Sequence, residues 1–258
     1  MSRRRLFVPP GELGGARVVV RGDAHRHLAR VLRGRVGDAV TLFDGMGTEV
    51  EAEIARVAAR ETELTLGTRR RGAAVDPARA VTLLAAIPRG ERMDFLVQKT
   101  TELGVARIVP VVTGRSVARP APETARRARW EKIAREAARQ SGRADAPVVE
   151  QPRPLRAALA GPDLPARRVA LWEGSPGRSL PAALEGTPGA TALLVGPEGG
   201  FAPAEVKAAE AAGWTPAGLG PRILRVETAA IVAVALAQSA LGELEPIAGG
   251  AGPFDGPE

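Results

Sequence analysis

The hydrophobic positions follow two rhythms. Between residues 18 and 66 the runs are short: Val18-Val19-Val20 is apolar, Ala39 to Phe43 is a second run, and Glu49 to Ile54 and Glu61 to Leu66 alternate with period two. Strands with one buried face read this way. Asp44-Gly45 closes one run as a turn, and His25 to Leu32 fits a short helix between the first two strands. Several short strands in some fifty residues predict a small barrel. Gly67 to Gly72 and Asp76-Pro77 read as a linker, which places a boundary near residue 72. From residue 80 the rhythm changes. Continuous apolar runs at Val81–Ile87, Ile108–Val112, Val169–Trp172 and Ala192–Val195 alternate with stretches of helical period at Glu91–Leu103, Thr124–Ser141, Pro203–Ala212 and Val226–Leu241. Val148-Val149 and Trp214–Leu219 are weaker strands. This alternation predicts an α/β domain with a mostly parallel sheet covered by helices. Residues 246–258 are rich in Gly and Pro and are expected to be a disordered tail.

Composition narrows the chemistry. The chain has 258 residues and no cysteine, so disulfides, thiolate metal sites and a Cys nucleophile are excluded. His25 and His27 are its two histidines, and no metal site is expected. No apolar run reaches membrane-spanning length, and residues 1–8 lack the apolar core of a secretory signal. Charge is unevenly spread. Residues 1–35 carry nine Arg against Glu12 and Asp23, which equals the formal +7 of the whole chain. Such a field attracts a polyanion. Arg is the default base throughout, since Lys99, Lys132 and Lys207 are the only lysines. Base-stacking grooves need aromatic rings, and only 3% of residues are aromatic. Structured RNA held through phosphate and 2′-OH contacts fits better.

Four segments carry candidate chemistry. Leu193-Leu194-Val195 runs into Gly196-Pro197-Glu198-Gly199-Gly200 and then a helix. Ligands bind beyond the carboxyl ends of parallel strands, and glycine lets a backbone approach them closely. The turn matches neither a dinucleotide fingerprint nor a P-loop; a ligand loop and a stiff bend fit it equally well. Leu219-Gly220-Pro221-Arg222-Ile223-Leu224-Arg225 precedes Glu227-Thr228, and its two arginines could clamp an anion or face water. Lys99 and Glu102 share a helical face, as a surface ion pair or as a cation and carboxylate facing a substrate. Residues 119–143 hold eight basic and three acidic positions, an RNA-tracking or simply a solvated face.

The order of these segments resembles the RsmE family of the SPOUT superfamily. The resemblance runs from about residue 3 to 245. It includes Arg5-Leu6-Phe7, His27 with Val31-Leu32-Arg33, Gly37-Asp38, Gly90-Glu91-Arg92-Met93, Gln98-Lys99, Glu102 to Val105, and Trp130 with Lys132-Ile133. Glu136 to Arg143, Gly196 to Gly200 and Leu219 to Thr228 complete it. The resemblance implies a PUA-like RNA-binding barrel over residues 1–72 and a SPOUT methyltransferase domain with a trefoil knot over 73–245. It implies a cytoplasmic homodimer that methylates N3 of a uridine in 16S ribosomal RNA of the small subunit, with S-adenosylmethionine as cofactor. The cofactor residues it implies are Leu171, Glu173, Leu194, Gly196, Pro197, Glu198, Gly199, Gly200, Leu219, Gly220, Arg222, Ile223 and Leu224. Candidate catalytic residues are Lys99, Arg143 and Arg225 as cations, with Glu102 or Glu227 as proton acceptor. Arg3, Arg4, Arg5, His27, Arg30, Arg33, Arg89 and Arg115 are the candidate RNA contacts. Two positions depart from the pattern: Ala202 stands where the helix after the glycine turn usually opens with Ser or Thr, and Val226 replaces a usual Thr. The competing readings are a SPOUT ribose 2′-O-methyltransferase and a non-catalytic ribosome-assembly factor.

Overall fold

A computed structural model of the chain describes residues 4–115, 123–174, 177–186 and 188–245. It divides into two compact units. One holds residues up to Ala74 with Arg135–Ala146; the other holds Val75–Ala134 and Pro147–Pro246.

In the first unit, β1 (Arg5–Phe7), β2 (Arg17–Arg21), β3 (Ala39–Phe43), β4 (Thr48–Val57) and β5 (Glu61–Arg71) form one curled sheet, a half-barrel, in the order β1-β3-β4-β5-β2. Alternation along β4 puts Val50, Ala52 and Ile54 inside with Leu6, Val18, Val20, Val40, Leu42 and Leu64. Register shifts between Val50 and Ala52, and between Ile54 and Arg56, interrupt the β4–β5 ladder. Bulges of this kind bend a sheet and raise its twist. Three features differ from expectation. Arg5–Phe7 is a strand, parallel to β3. The stretch read as a linker is sheet as far as Arg71, because Arg69, Arg70 and Arg71 pair with Val50, Glu49 and Thr48. The helix starts earlier, as α1 (Gly22–Arg26), and widens into a π-helical turn over His27–Val31.

In the second unit, β6 (Val81–Ala86), β7 (Arg107–Val112), β8 (Val148–Val149), β10 (Arg167–Leu171), β11 (Thr191–Val195) and β12 (Thr215–Ala217) form an all-parallel sheet ordered β12-β10-β11-β6-β7-β8, with β9 (Arg153–Pro154) also paired to β7. Every residue of β6 and β11 is buried. Period two then splits the apolar positions between two faces. Leu83, Ala85, Val169, Leu171, Leu193 and Val195 pack against α2 (Arg92–Glu102), α5 (Leu180–Leu184), α7 (Val226–Ala240) and Trp130 of α3 (Glu123–Ser141). Leu84, Ala170, Ala192 and Leu194 pack against α4 (Leu155–Leu159) and α6 (Pro203–Ala211). Helices on both faces explain why these strands read as continuous apolar runs. The observed class is the expected one: an α/β unit whose parallel sheet is covered by helices, with a curled sheet before it.

Candidate active site

The carboxyl ends of β10, β11 and β12 open into one pocket. Three loops line it. The end of β10 contributes Leu171, Trp172 and Glu173; the turn after β11 contributes Val195, Gly196, Pro197, Gly200 and Phe201; the segment before α7 contributes Leu219, Gly220, Arg222, Ile223 and Leu224, with Val226 and Ala229 of the helix. Gly196 is in a crowded position, and Gly200 takes a backbone conformation that favours glycine. A Cβ on Gly196 would lie 3.0 Å from the Phe201 ring. Gly200 has φ +64°, and a Cβ there would approach Glu173 Oε1 to 2.5 Å. A wall built of backbone and apolar side chains, with single acidic and basic groups at Glu173 and Arg222, suits a ligand with a flat apolar portion and a zwitterionic one.

The glycine turn is braced from behind. Glu198 Oε1 accepts the Arg89 N–H at 2.9 Å and pairs with Arg92 Nη1 at 3.4 Å. Burial alone pushes the Glu198 carboxyl up; the Arg89 N–H, its own backbone N–H and the Arg92 and Arg89 charges outweigh this and hold it below the ordinary carboxylate value. Arg115 donates to the Gly199 carbonyl. Glu205 accepts the Gly114 N–H at 3.0 Å and the Ala202 N–H at 2.8 Å. The second of these is the carboxylate half of a capping box; Ala202 has no side-chain oxygen for the other half.

Comparison with known proteins assigns the chain. The RNA methyltransferase domain family matches residues 76–238, and the RNA methyltransferase PUA domain family matches residues 20–65. The ribosomal RNA small subunit methyltransferase E of Synechocystis is 32% identical, over 90% of this chain and 76% of its own length. That of Mycobacterium tuberculosis is 34% identical, over 85% of both. The chain belongs to the ribosomal RNA small subunit methyltransferase E family. A solved structure of the Neisseria gonorrhoeae member bound to S-adenosyl methionine superimposes with a TM-score of 0.80 at 32% identity, covering 92% of this chain and 97% of that one. This member of the family is therefore an RNA methyltransferase.

Within this methyltransferase, ten of the thirteen residues singled out from sequence for the cofactor line the pocket; Leu194, Glu198 and Gly199 do not. Leu194 points to the opposite face of the sheet. The pocket also uses Trp172, Val195, Phe201, Val226 and Ala229, of which Phe201 and Ala229 look in the sequence like ordinary core. Of the catalytic candidates, Arg225 and Glu227 stand nearest in the chain to the pocket, on either side of Val226. Arg225 is exposed; Glu227 is buried, 3.8 Å from Arg92 Nε, and its Oε2 has no hydrogen-bond partner. Lys99 Nζ contacts both Glu102 oxygens at 2.9 Å, and neither residue lines the pocket. Arg143 belongs to the first unit, where its buried guanidinium makes two bonds to Asp145 of 3.0 and 2.9 Å.

The RNA candidates are as mixed. Arg3 lies outside the described residues. Arg4 pairs with Asp38 at 3.2 Å. Arg5 is mostly buried, held by Glu49 at 2.5 Å and by the Arg143 carbonyl at 2.9 Å, and its guanidinium stacks over Phe43. Arg30 and Arg33 are exposed. His27 is half-buried with an unpartnered Nε2; burial, then the Arg139 charge, push its pKa down against the opposing pull of Glu136. Arg89 and Arg115 are exposed and bond to the glycine turn as described. Among the described residues, no helix is long and apolar enough to cross a membrane, and no three acidic or histidine groups are placed to hold a metal ion.

Proposed function

We propose that this protein transfers a methyl group from S-adenosylmethionine to N3 of a uridine in the 16S ribosomal RNA of the small subunit. The observation that carries the reading is the convergence of three βα loops on one pocket at the carboxyl ends of β10, β11 and β12. The names and bound cofactor of the relatives support it. The bound cofactor would supply a sulfonium methyl. The chain's own residues would do the rest. Leu171, Val195, Leu224 and Val226 would hold the apolar base, and Glu173 and Arg222 the charged end. Positioning of this kind supplies much of a transfer reaction's acceleration.

Uridine N3 is a weakly acidic imide nitrogen and must lose its proton. Arg225, exposed at the N-terminus of α7, is the cation best situated to favour the anion, and we assign it ahead of Lys99 and Arg143. Glu227 is preferred to Glu102 as proton acceptor, because both Glu102 oxygens are already bound by Lys99. We assign RNA capture to residues 1–72 through Arg30 and Arg33, and catalysis to residues 73–245, whose chain would be threaded as the knot typical of the superfamily.

A homodimer is favoured by the half-exposed apolar positions Ile231, Val232, Ala235 and Leu236 on α7, and by Phe95 on α2, which is 47% exposed. Light scattering on the purified chain tests this. Nucleoside analysis of small-subunit RNA from a strain lacking the protein tests the reaction. Loss of N3-methyluridine is expected. Loss of a 2′-O-methyl nucleotide instead would replace base methylation by ribose methylation.

A further inference from the structure

We propose that Arg92 is a positioning residue that fixes the cofactor pocket by tying the turn after β11 to the first turn of α7; this rests on reading the pocket as the S-adenosylmethionine site. Arg92 opens α2 and touches neither the pocket nor a pocket-lining residue through its charge. Its guanidinium instead reaches two acids, Glu198 at 3.4 Å and Glu227 at 3.8 Å. Each acid is the immediate neighbour of a pocket wall: Pro197 precedes Glu198, and Val226 precedes Glu227. One cation therefore spans two of the three loops.

The two acids depend on it differently. Glu198 has a second anchor in the Arg89 N–H. Glu227 is buried, and its Oε2 lacks a hydrogen-bond partner, so Arg92 is the cation that compensates its charge. Removing one partner of a buried pair strands the other. Without Arg92, Glu227 has no cation beside it and turns towards water, which moves the first turn of α7, and Val226 and Ala229 with it. Arg92 itself is 40% exposed and loses little packing when shortened. The expected defect is therefore one of pocket geometry.

The test is calorimetry on the full chain with S-adenosylmethionine, and separately with small-subunit RNA. Arg92→Gln is expected to raise the cofactor Kd about tenfold and to leave RNA affinity within about twofold. Arg92→Lys, which keeps the charge but not the two-ended reach, recovers part of the loss. Adding Glu227→Gln to Arg92→Gln gives no further loss of cofactor affinity, because both remove the Arg92–Glu227 contact. In turnover, KM for the cofactor rises by more than kcat falls.

An unchanged cofactor Kd in Arg92→Gln overturns the proposal, as does a double variant whose losses multiply. Should Arg92→Gln fail to fold, the pair Glu198→Gln and Glu227→Gln carries the same test, since Arg92 then has nothing to bridge. Wild-type protein that binds no S-adenosylmethionine overturns the functional reading and this inference together. Wild type that binds, beside an Arg92→Gln protein that binds equally well, overturns the inference alone.

Discussion

Glu49 and Glu227 are both buried carboxylates, one in each unit, and they are treated in opposite ways. Glu49 is held by Arg5 at 2.5 Å and Arg70 at 3.0 Å, with its side chain 5% exposed. Glu227 has one cation at 3.8 Å and an oxygen with no partner. A buried charge is tolerated when its hydrogen bonds are complete and is strained when they are not. The satisfied carboxylate sits where the sheet must hold its register, at the point where β4 meets β5. The unsatisfied one sits beside the pocket. Incomplete pairing leaves the start of α7 dependent on a single contact, which suits a wall that must adjust to a ligand and not one that must hold a fold.

The largest expected effect falls on Glu49, whose two carboxylate oxygens are both paired. Glu49→Ala leaves Arg5 buried with no acid and should cost about 3 kcal/mol of stability. Denaturant unfolding measures it. A loss below ~1 kcal/mol would make Glu49 an ordinary surface partner and remove the contrast with Glu227. Next comes the pocket. Gly196→Trp drives a ring into the space against Phe201, where even a Cβ sits at 3.0 Å. Cofactor affinity should fall on the order of 100-fold, and crowding of the buried Phe201 should lower the unfolding midpoint as well, by roughly 1–3 kcal/mol of stability. Undiminished affinity in calorimetry would mean that the cofactor binds elsewhere.

These two variants also show what could be read in the sequence. The strands β6, β7, β10 and β11 were legible as apolar runs because helices cover both their faces. The glycine turn was legible as a candidate because it follows such a run. β1 was not, since three residues joined in parallel to a distant strand leave no period. The end of β5 was hidden because Gly67-Thr68-Arg69-Arg70-Arg71 has linker composition, and what keeps it in the sheet is pairing to β4, with Arg70 on Glu49. α4 and α5 are five residues each, too short for a helical period to show. In the site, Phe201 and Ala229 were missed because a pocket wall and a core position have the same residue types. Arg92 was missed because its partners lie more than a hundred residues away.

A smaller effect separates RNA capture from cofactor binding. Arg30 and Arg33 are exposed, and Arg33 is held at φ +50°, the one non-glycine residue in the left-handed region among those described. Arg30→Glu with Arg33→Glu should weaken RNA binding about tenfold and flatten its salt dependence by about two ions. Cofactor affinity should not move. A parallel loss of cofactor binding would break the division of labour between the units.

The smallest effect comes from His27, which is half-buried and feels the charges of Arg139 and Glu136. Burial and the Arg139 charge lower its pKa in the folded protein, and Glu136, held low itself by the hydrogen bond from Arg139, opposes them only in part. The unfolded chain therefore takes up the proton first as pH falls. Stability is full above the ordinary histidine value of 6.5 and declines as pH drops from there through the lowered folded value. His27→Gln should remove that decline and leave the neutral-pH stability nearly as it was. An unfolding midpoint that falls equally steeply between pH 7 and 5 in both proteins would assign the decline to other groups.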